Sequence, residues 1–159
     1  MSIFAASALL ALTGGANANG DFSGSVKVYA TYNFPSFPDY NNMHITADVV
    51  YDVSGPSGKA WGTFSYLRPG DANVEAYQVY AYATCVGKFS NNQYTIAGPI
   101  VKQSGTEYAV GAYLVMEFDV TNGLTHGYPV PDLKAARAAC KSQSGTWAGT
   151  IAQGYVIAQ

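Results

Sequence analysis

From residue 25 onward the sequence runs in period two. Over 25–32, Val26, Val28 and Ala30 fall on one face of an extended chain, with Lys27, Tyr29 and Thr31 on the other. Over 44–53, Ile45, Ala47, Val49, Tyr51 and Val53 oppose His44, Thr46, Asp48 and Asp52. Residues two apart share a face only in a strand, so this alternation predicts strands with one buried and one wet side. The breakers of "SGPSG" join the second strand to a third over 59–67 and predict a hairpin.

Further strands are predicted over 74–87, 94–102, 112–121 and 149–158. The 74–87 strand places Tyr77, Val79, Ala81, Ala83 and Cys85 inward, with Tyr80 and Tyr82 outward. Gly98-Pro99 predicts a bulge or an edge position for the fifth strand, because proline cannot donate to the ladder. In 112–121, Leu114, Met116, Phe118 and Val120 are read as inward, and Glu117, Asp119 and Thr121 as solvated. The one helical pattern covers 132–140, after Pro131 and Asp132 and a Gly/Pro-rich loop that holds His126. Seven strands with regular turns predict an all-β antiparallel two-sheet sandwich, with a closed barrel as the alternative and one short helix. Thirteen Tyr and 17 Gly beside few Glu or Lys agree with sheet over helix.

The 159 residues fit about one domain, expected over 19–159. Before it, the apolar run from Ile3 to Leu12 and the Ala16-Asn17-Ala18 triplet read as a signal peptide over 1–18, cleaved before Asn19, although no Lys or Arg precedes the run. The expected location is therefore outside the cell or on its surface. No stretch reaches the roughly 20 apolar residues that span a bilayer, so no membrane anchor is expected. A formal charge of −2 gives no electrostatic reason to bind nucleic acid.

Export makes the cysteines legible. Cys85 and Cys140 are an even pair in a chain bound for an oxidising space, and a disulfide is expected. Closing a loop of about 55 residues would contribute roughly 4 kcal/mol in the chain-entropy description. A helix of about nine residues is marginal alone, so the bond is expected to pin it to the fourth strand.

Candidates for chemistry are few. The sequence holds two histidines and no "HExxH" or "GxSxG", and neither a metal nor a cofactor is expected. His126 could join Asp119 or Asp132 as a ligand set, but "NGLTHG" equally suits a surface turn, and His44 reads as a solvated strand residue. Glu117 and Asp119, two apart on one face, would stand about 7 Å apart, a spacing a small glycan-acting hydrolase could use. Alternation on a wet face produces the same pair, and no catalytic residue is assigned. Aromatics carry more. Tyr29, Trp61, Tyr80, Tyr82 and Trp147 fall opposite the expected core or near turns, where flat rings can stack on sugars or anchor a protein.

The segments "ITADVVYDVSGPSGKAWGTFSY", "VYAYATCVGKFSNNQYTIAGPI" and "VMEFDVTNGLTHGYPVPD", with the late Cys140 and the final "GTIAQGYVIAQ", resemble a group of secreted β-sandwich proteins of unknown function found in fungi and bacteria. The likeness covers 45–159 and departs at Thr121, where Asp is usual, and at Phe89-Ser90-Asn91. A weaker likeness is to the Alt a 1 type of secreted fungal β-barrel, whose cysteine pattern is not matched. The resemblance implies a fold and export but no activity. The expectation is a secreted, non-catalytic protein that binds an extracellular protein or a polysaccharide, as a surface or host-interaction factor or a carbohydrate-binding module. Nothing in the sequence bears on its oligomeric state.

Overall fold

The computed structural model describes residues 24–52, 57–70, 75–89, 92–105, 108–109 and 111–159. The expected leader over 1–18 lies outside the described residues, as does Val53 of the second expected strand. The elements are β1 (Gly24–Asn33), β2 (Met43–Asp52), β3 (Ser57–Arg68), β4 (Tyr77–Tyr82), β5 (Cys85–Phe89), β6 (Gln93–Ser104), β7 (Tyr113–Asp119), β8 (Leu124–Val130), α1 (Leu133–Lys141) and β9 (Gly149–Ala158).

The fold is mostly antiparallel β with one short helix, as the alternation requires, but its strands do not divide into two sheets. They form one sheet in the order β2-β1-β9-β8-β7-β6-β4-β3-β5, and β3 also pairs with β2, so the sheet turns back on itself like a ring. The sandwich expectation is corrected accordingly. Alternation reports which face of each strand is buried, and an interior formed by one curled sheet buries the same residues as two facing ones. Here the inward rows are Val26, Val28, Ala30 and Tyr32 of β1, Ile45, Ala47, Val49 and Tyr51 of β2, and Phe64 and Tyr66 of β3. Tyr77, Val79 and Ala81 of β4 and Leu114, Met116 and Phe118 of β7 continue them. Each such large side chain contributes about 1.5–3 kcal/mol by leaving water, so two or three of them match what the disulfide supplies.

Three local expectations are also corrected. The strand expected over 74–87 breaks at Ala83-Thr84 into β4 and β5, both of which lie between β3 and β6. The fifth strand, β6, is interior rather than at an edge: it pairs with β7 along Gln93–Pro99 and with β4 and β5 on its other side. It accommodates proline through a bulge, because Tyr80 pairs with Lys102 but Ala81 pairs with Ile100, leaving Val101 as the extra residue beside Pro99. At Gly98 the strands approach so closely that a Cβ would run into the carbonyl oxygen of Tyr82. The loop expected around His126 is instead the strand β8. Its Gly127 and Pro129 hid it, yet β8 bonds to β9 only through Leu124 and Thr125, so at Pro129 the edge facing β9 makes no ladder pairing that a missing N–H could break.

The helix starts as expected. Asp132 is its N-cap, its side chain accepting from the Ala135 N–H at 2.8 Å. It lies on the outside of the ring over β5, β6 and β7, where Ala136 and Cys140 pack on Cys85, Ala97 and Val115 in a second, small core. The Cys85–Cys140 disulfide is formed, with the Cα atoms 6.3 Å apart. It ties the last turn to β5, as expected of a short helix that cannot stand alone.

Candidate functional site

Ladder register carries the outward side chains of five neighbouring strands into rows. One row reads Tyr155 of β9, Tyr29 of β1, Thr46 of β2, Ser65 of β3 and Tyr80 of β4, each residue opposite the next. A second reads Ile157, Lys27, Asp48, Thr63 and Tyr82. A third reads Gln153, Thr31, His44, Leu67 and Gln78. Tyrosines thus stand at both ends of the first row, with the hydroxyls of Thr46 and Ser65 between them, and at the β4 end of the second, while amides close both ends of the third. Three strand spacings separate β1 from β4, so the two groups of rings stand about 14 Å apart measured along the curved sheet.

The rings are exposed. Tyr29 is 67% and Tyr155 50% accessible, with ring centroids 6.3 Å apart, while on the far side Tyr82 is 55% and Tyr80 37% accessible. Trp61, also exposed, continues that side along β3, outward like Thr63 and Ser65. Tyr80 is held in place: Gln78 Nε2 donates to its hydroxyl at 2.6 Å, and Lys102 Nζ lies 5.8 Å from the ring centroid. The floor is also fixed, by a 2.9 Å bond between Thr31 Oγ1 and His44 Nδ1 and a 2.8 Å bond between Thr46 Oγ1 and Ser65 Oγ. Beside Tyr29 lies a trough of about 490 Å³ bordered also by Thr31, His44, Thr46, Ser65, Gln78 and Gln153, while Tyr80, Tyr82, Trp61 and Tyr155 stand outside its border. Lys27 and Asp48 are neighbours across β1 and β2, so the surface carries charges of both signs.

Four of the five aromatics singled out in the sequence therefore lie on one outer surface. Trp147 does not join them: it is half-buried in the 143–148 segment ahead of β9, about 20 Å of strand away from Tyr155. The residue the sequence reading passed over is Tyr155. Its signal was available, since the alternation of the closing strand puts Gln153, Tyr155 and Ile157 on one face.

The wet-face expectation for β7 fails. Glu117 is fully buried, because α1 and the 143–148 segment cover that part of the outer face of β7, and Asp119 is 3% accessible, enclosed by Gln93 and the turn at Asn122. Glu117 accepts from the Ser144 N–H at 2.8 Å, from the Ser144 hydroxyl at 2.5 Å and from the Tyr128 hydroxyl at 3.2 Å. His126, paired with it across the ladder, holds Nδ1 4.0 Å from the carboxylate and 3.5 Å from Ser144 Oγ. Burial pushes the His126 pKa below its ordinary value, with Glu117 pulling it partly back, and burial with the neighbouring carboxylate pushes Tyr128 up to about 12. Burial alone would raise the Asp119 carboxyl, but bonds from Gln93 Nε2, the Asn122 side chain and the Asn122 and Thr121 backbone hold it below its usual value.

Each carboxylate is thus engaged by structural donors, and Glu117 has no surface on which a glycosidic oxygen could land. The Asp119, His126 and Asp132 set is dispersed among three tasks: a turn bond, a partner to Glu117 and a helix cap. Among the described residues no group of three or more His, Cys, Asp or Glu side chains is arranged to hold a metal ion.

Fold and surface define a class: a disulfide-linked, ring-like all-β chain with a hydroxyl-lined trough and exposed tyrosines on its outer face. In comparisons with protein-family models, curated proteins and solved structures, nothing matches this chain.

Proposed function

We propose that the protein is a secreted, non-catalytic binding protein whose ligand is an extended, neutral polysaccharide lying across β9, β1, β2, β3 and β4. The observation that carries this reading is the exposed tyrosines of β9, β1 and β4 at opposite ends of one ladder row, with the hydroxyls of Thr46 and Ser65 between them. Sugar rings present apolar faces that stack on exposed tyrosines and hydroxyls that exchange bonds with Thr, Ser and Gln side chains. A floor bearing both Lys27 and Asp48 offers a polyanion no single-sign field, which favours an uncharged chain. The disulfide suits an oxidising compartment, and the resemblance to secreted β-sandwich proteins also points to export.

Retention on insoluble cellulose, chitin and β-1,3-glucan tests the reading. The native protein is expected to be retained on at least one. A ring contact contributes about 0.5–1.5 kcal/mol, so Tyr29→Ala or Tyr80→Ala should weaken retention roughly 2- to 10-fold, and the double variant more. Trp147→Ala should bind as the native protein does. No retention on any of the three, or retention indifferent to both tyrosines, removes the proposal. Export is tested separately, by finding whether the mature chain begins at Asn19.

A further inference from the structure

One end of the ring interior is open, and what it holds differs in kind from the outer trough. Phe34, Tyr40, Met43, Ile45, Tyr66 and Met116 wall a cavity of about 210 Å³, with Gly127 of β8 at its side. An apolar cavity of about 150 Å³ already accepts benzene and otherwise stays dry, so this one has room for a somewhat larger molecule.

The walls are built to stay apart. Tyr66 meets Tyr77 at 5.7 Å and Tyr108 at 6.1 Å between ring centroids, and Tyr77 meets Tyr108 edge-on at 5.9 Å. The Arg68 guanidinium lies over both Tyr40, at 5.2 Å, and Tyr77, at 5.6 Å, joining the covering loop to the ring wall. That loop is itself fastened, Phe34 N–H donating to Asn41 Oδ1 at 2.8 Å and Phe37 N–H to the Phe34 carbonyl at 2.8 Å. Phe37, 53% accessible, stands edge-on to Tyr40 and also borders the cavity. A pocket held open by locked rings spends little on ordering when a ligand enters.

The chemistry of the lining selects the occupant. Among the described residues no Lys, Arg, Asp or Glu borders the cavity, so a charged ligand would lose its hydration without a counter-charge from them. The Tyr66 hydroxyl is buried without a hydrogen-bond partner, so it can meet one polar group on a ligand. Aromatic edges and two methionine thioethers suit a flat ring over a flexible chain. We propose that this end cavity binds a neutral aromatic small molecule of one or two fused rings bearing at most one polar group. The site lies inside the ring, whereas the proposed polysaccharide surface lies outside it, and neither proposal depends on the other.

Gly127 supplies the test. A Cβ there would meet its nearest neighbours, the Val115 carbonyl oxygen and Met116 Cγ, at 3.8 and 3.9 Å, ordinary contact distances, so a larger side chain can be added without a backbone clash. Indole is titrated into the full-length oxidised protein and followed by calorimetry and by shifts of the Met43 and Met116 methyl resonances. One saturable site is expected, with binding weakened at least tenfold in Gly127→Leu while retention on polysaccharide is unchanged. Should Gly127→Leu not fold, Ala148→Leu, which fills the same cavity from another side, replaces it. The inference is overturned if indole shows no saturable binding up to its solubility limit, or if the filled variant binds it as tightly as the native protein.

Discussion

Glu117 is the buried charge on which the outer layer turns, and removing it gives the sharpest test of how that layer is held. Its Oε1 takes two donors, the Ser144 N–H and the Tyr128 hydroxyl, and its Oε2 takes the Ser144 hydroxyl. Bonds to a charged acceptor contribute about 1.5–3 kcal/mol each. In Glu117→Ala the Ser144 groups can return to water, since Ser144 is exposed, while the half-buried Tyr128 hydroxyl loses its acceptor. With two of the three losses largely refunded by solvent, the expected destabilisation is about 2–4 kcal/mol. Glu117→Gln can place its amide oxygen at Oε1 and its NH₂ at Oε2, where Ser144 Oγ turns from donor to acceptor, so it should cost only about 1–2 kcal/mol. Guanidinium unfolding of the oxidised protein measures both, and an unchanged m-value is needed for the comparison. A second readout is proteolysis of the 143–148 segment, which Ser144 fastens to β7 and which should be cut faster in the Ala variant. If Glu117→Ala costs less than about 1 kcal/mol, or if Ala and Gln cost the same, the carboxylate is not holding that segment and the reasoning fails.

Stability should depend on pH in opposite senses at the two extremes. The unfolded His126 titrates near 6.5 and the folded one lower, so the unfolded chain binds the extra proton first, and stability should fall as pH drops below about 6.5. His126→Asn should flatten that limb. Tyr51 and Tyr128 are raised from 10.0 to about 12, so the folded state keeps protons that the unfolded state releases, and stability should fall again between pH 10 and 12. Replacing both cysteines by alanine should cost roughly 4 kcal/mol, with hydrogen exchange rising first in α1. Gly98→Ala, whose added methyl meets the Tyr82 carbonyl, should cost about 3 kcal/mol by thermal unfolding, while Gly111→Ala should be far milder, because nothing lies within 4 Å of that position and only its positive φ opposes the change.

What could be read from the sequence, and what could not, divides along one physical line. Period two assigns inner and outer faces strand by strand, and it did so correctly for β1, β2 and β4, because those strands have one face on the interior and the other in water. It fails on β7, where the 143–148 segment closes over Glu117 and the Gln93 and Asn122 side chains over Asp119: alternation shows that both point away from Leu114 and Met116, but not what covers them. The same blindness hid β8. A strand whose inward positions are Thr125, Gly127 and Pro129 has almost no apolar signal, and what makes it a strand is its ladder with β7. Closure of the sheet was likewise invisible, since β3 returning to β2 is a matter of curvature and twist rather than of residue type. The aromatic surface lay between these cases. That Tyr29, Tyr80 and Tyr82 face outward followed from the strands one at a time. That they form two groups about three strands apart, completed by Tyr155, depends on register across five strands. Register is settled by burying Val28, Ala47, Phe64 and Ala81 side by side in the interior, so the packing of the inner face fixes the spacing of the outer rings. A one-residue slip between β1 and β2 would turn one inner row to water. The geometry of the proposed binding surface is therefore set by the hydrophobic interior beneath it, which is why substitutions at Ala47 or Phe64 should disturb polysaccharide retention even though neither side chain reaches the trough.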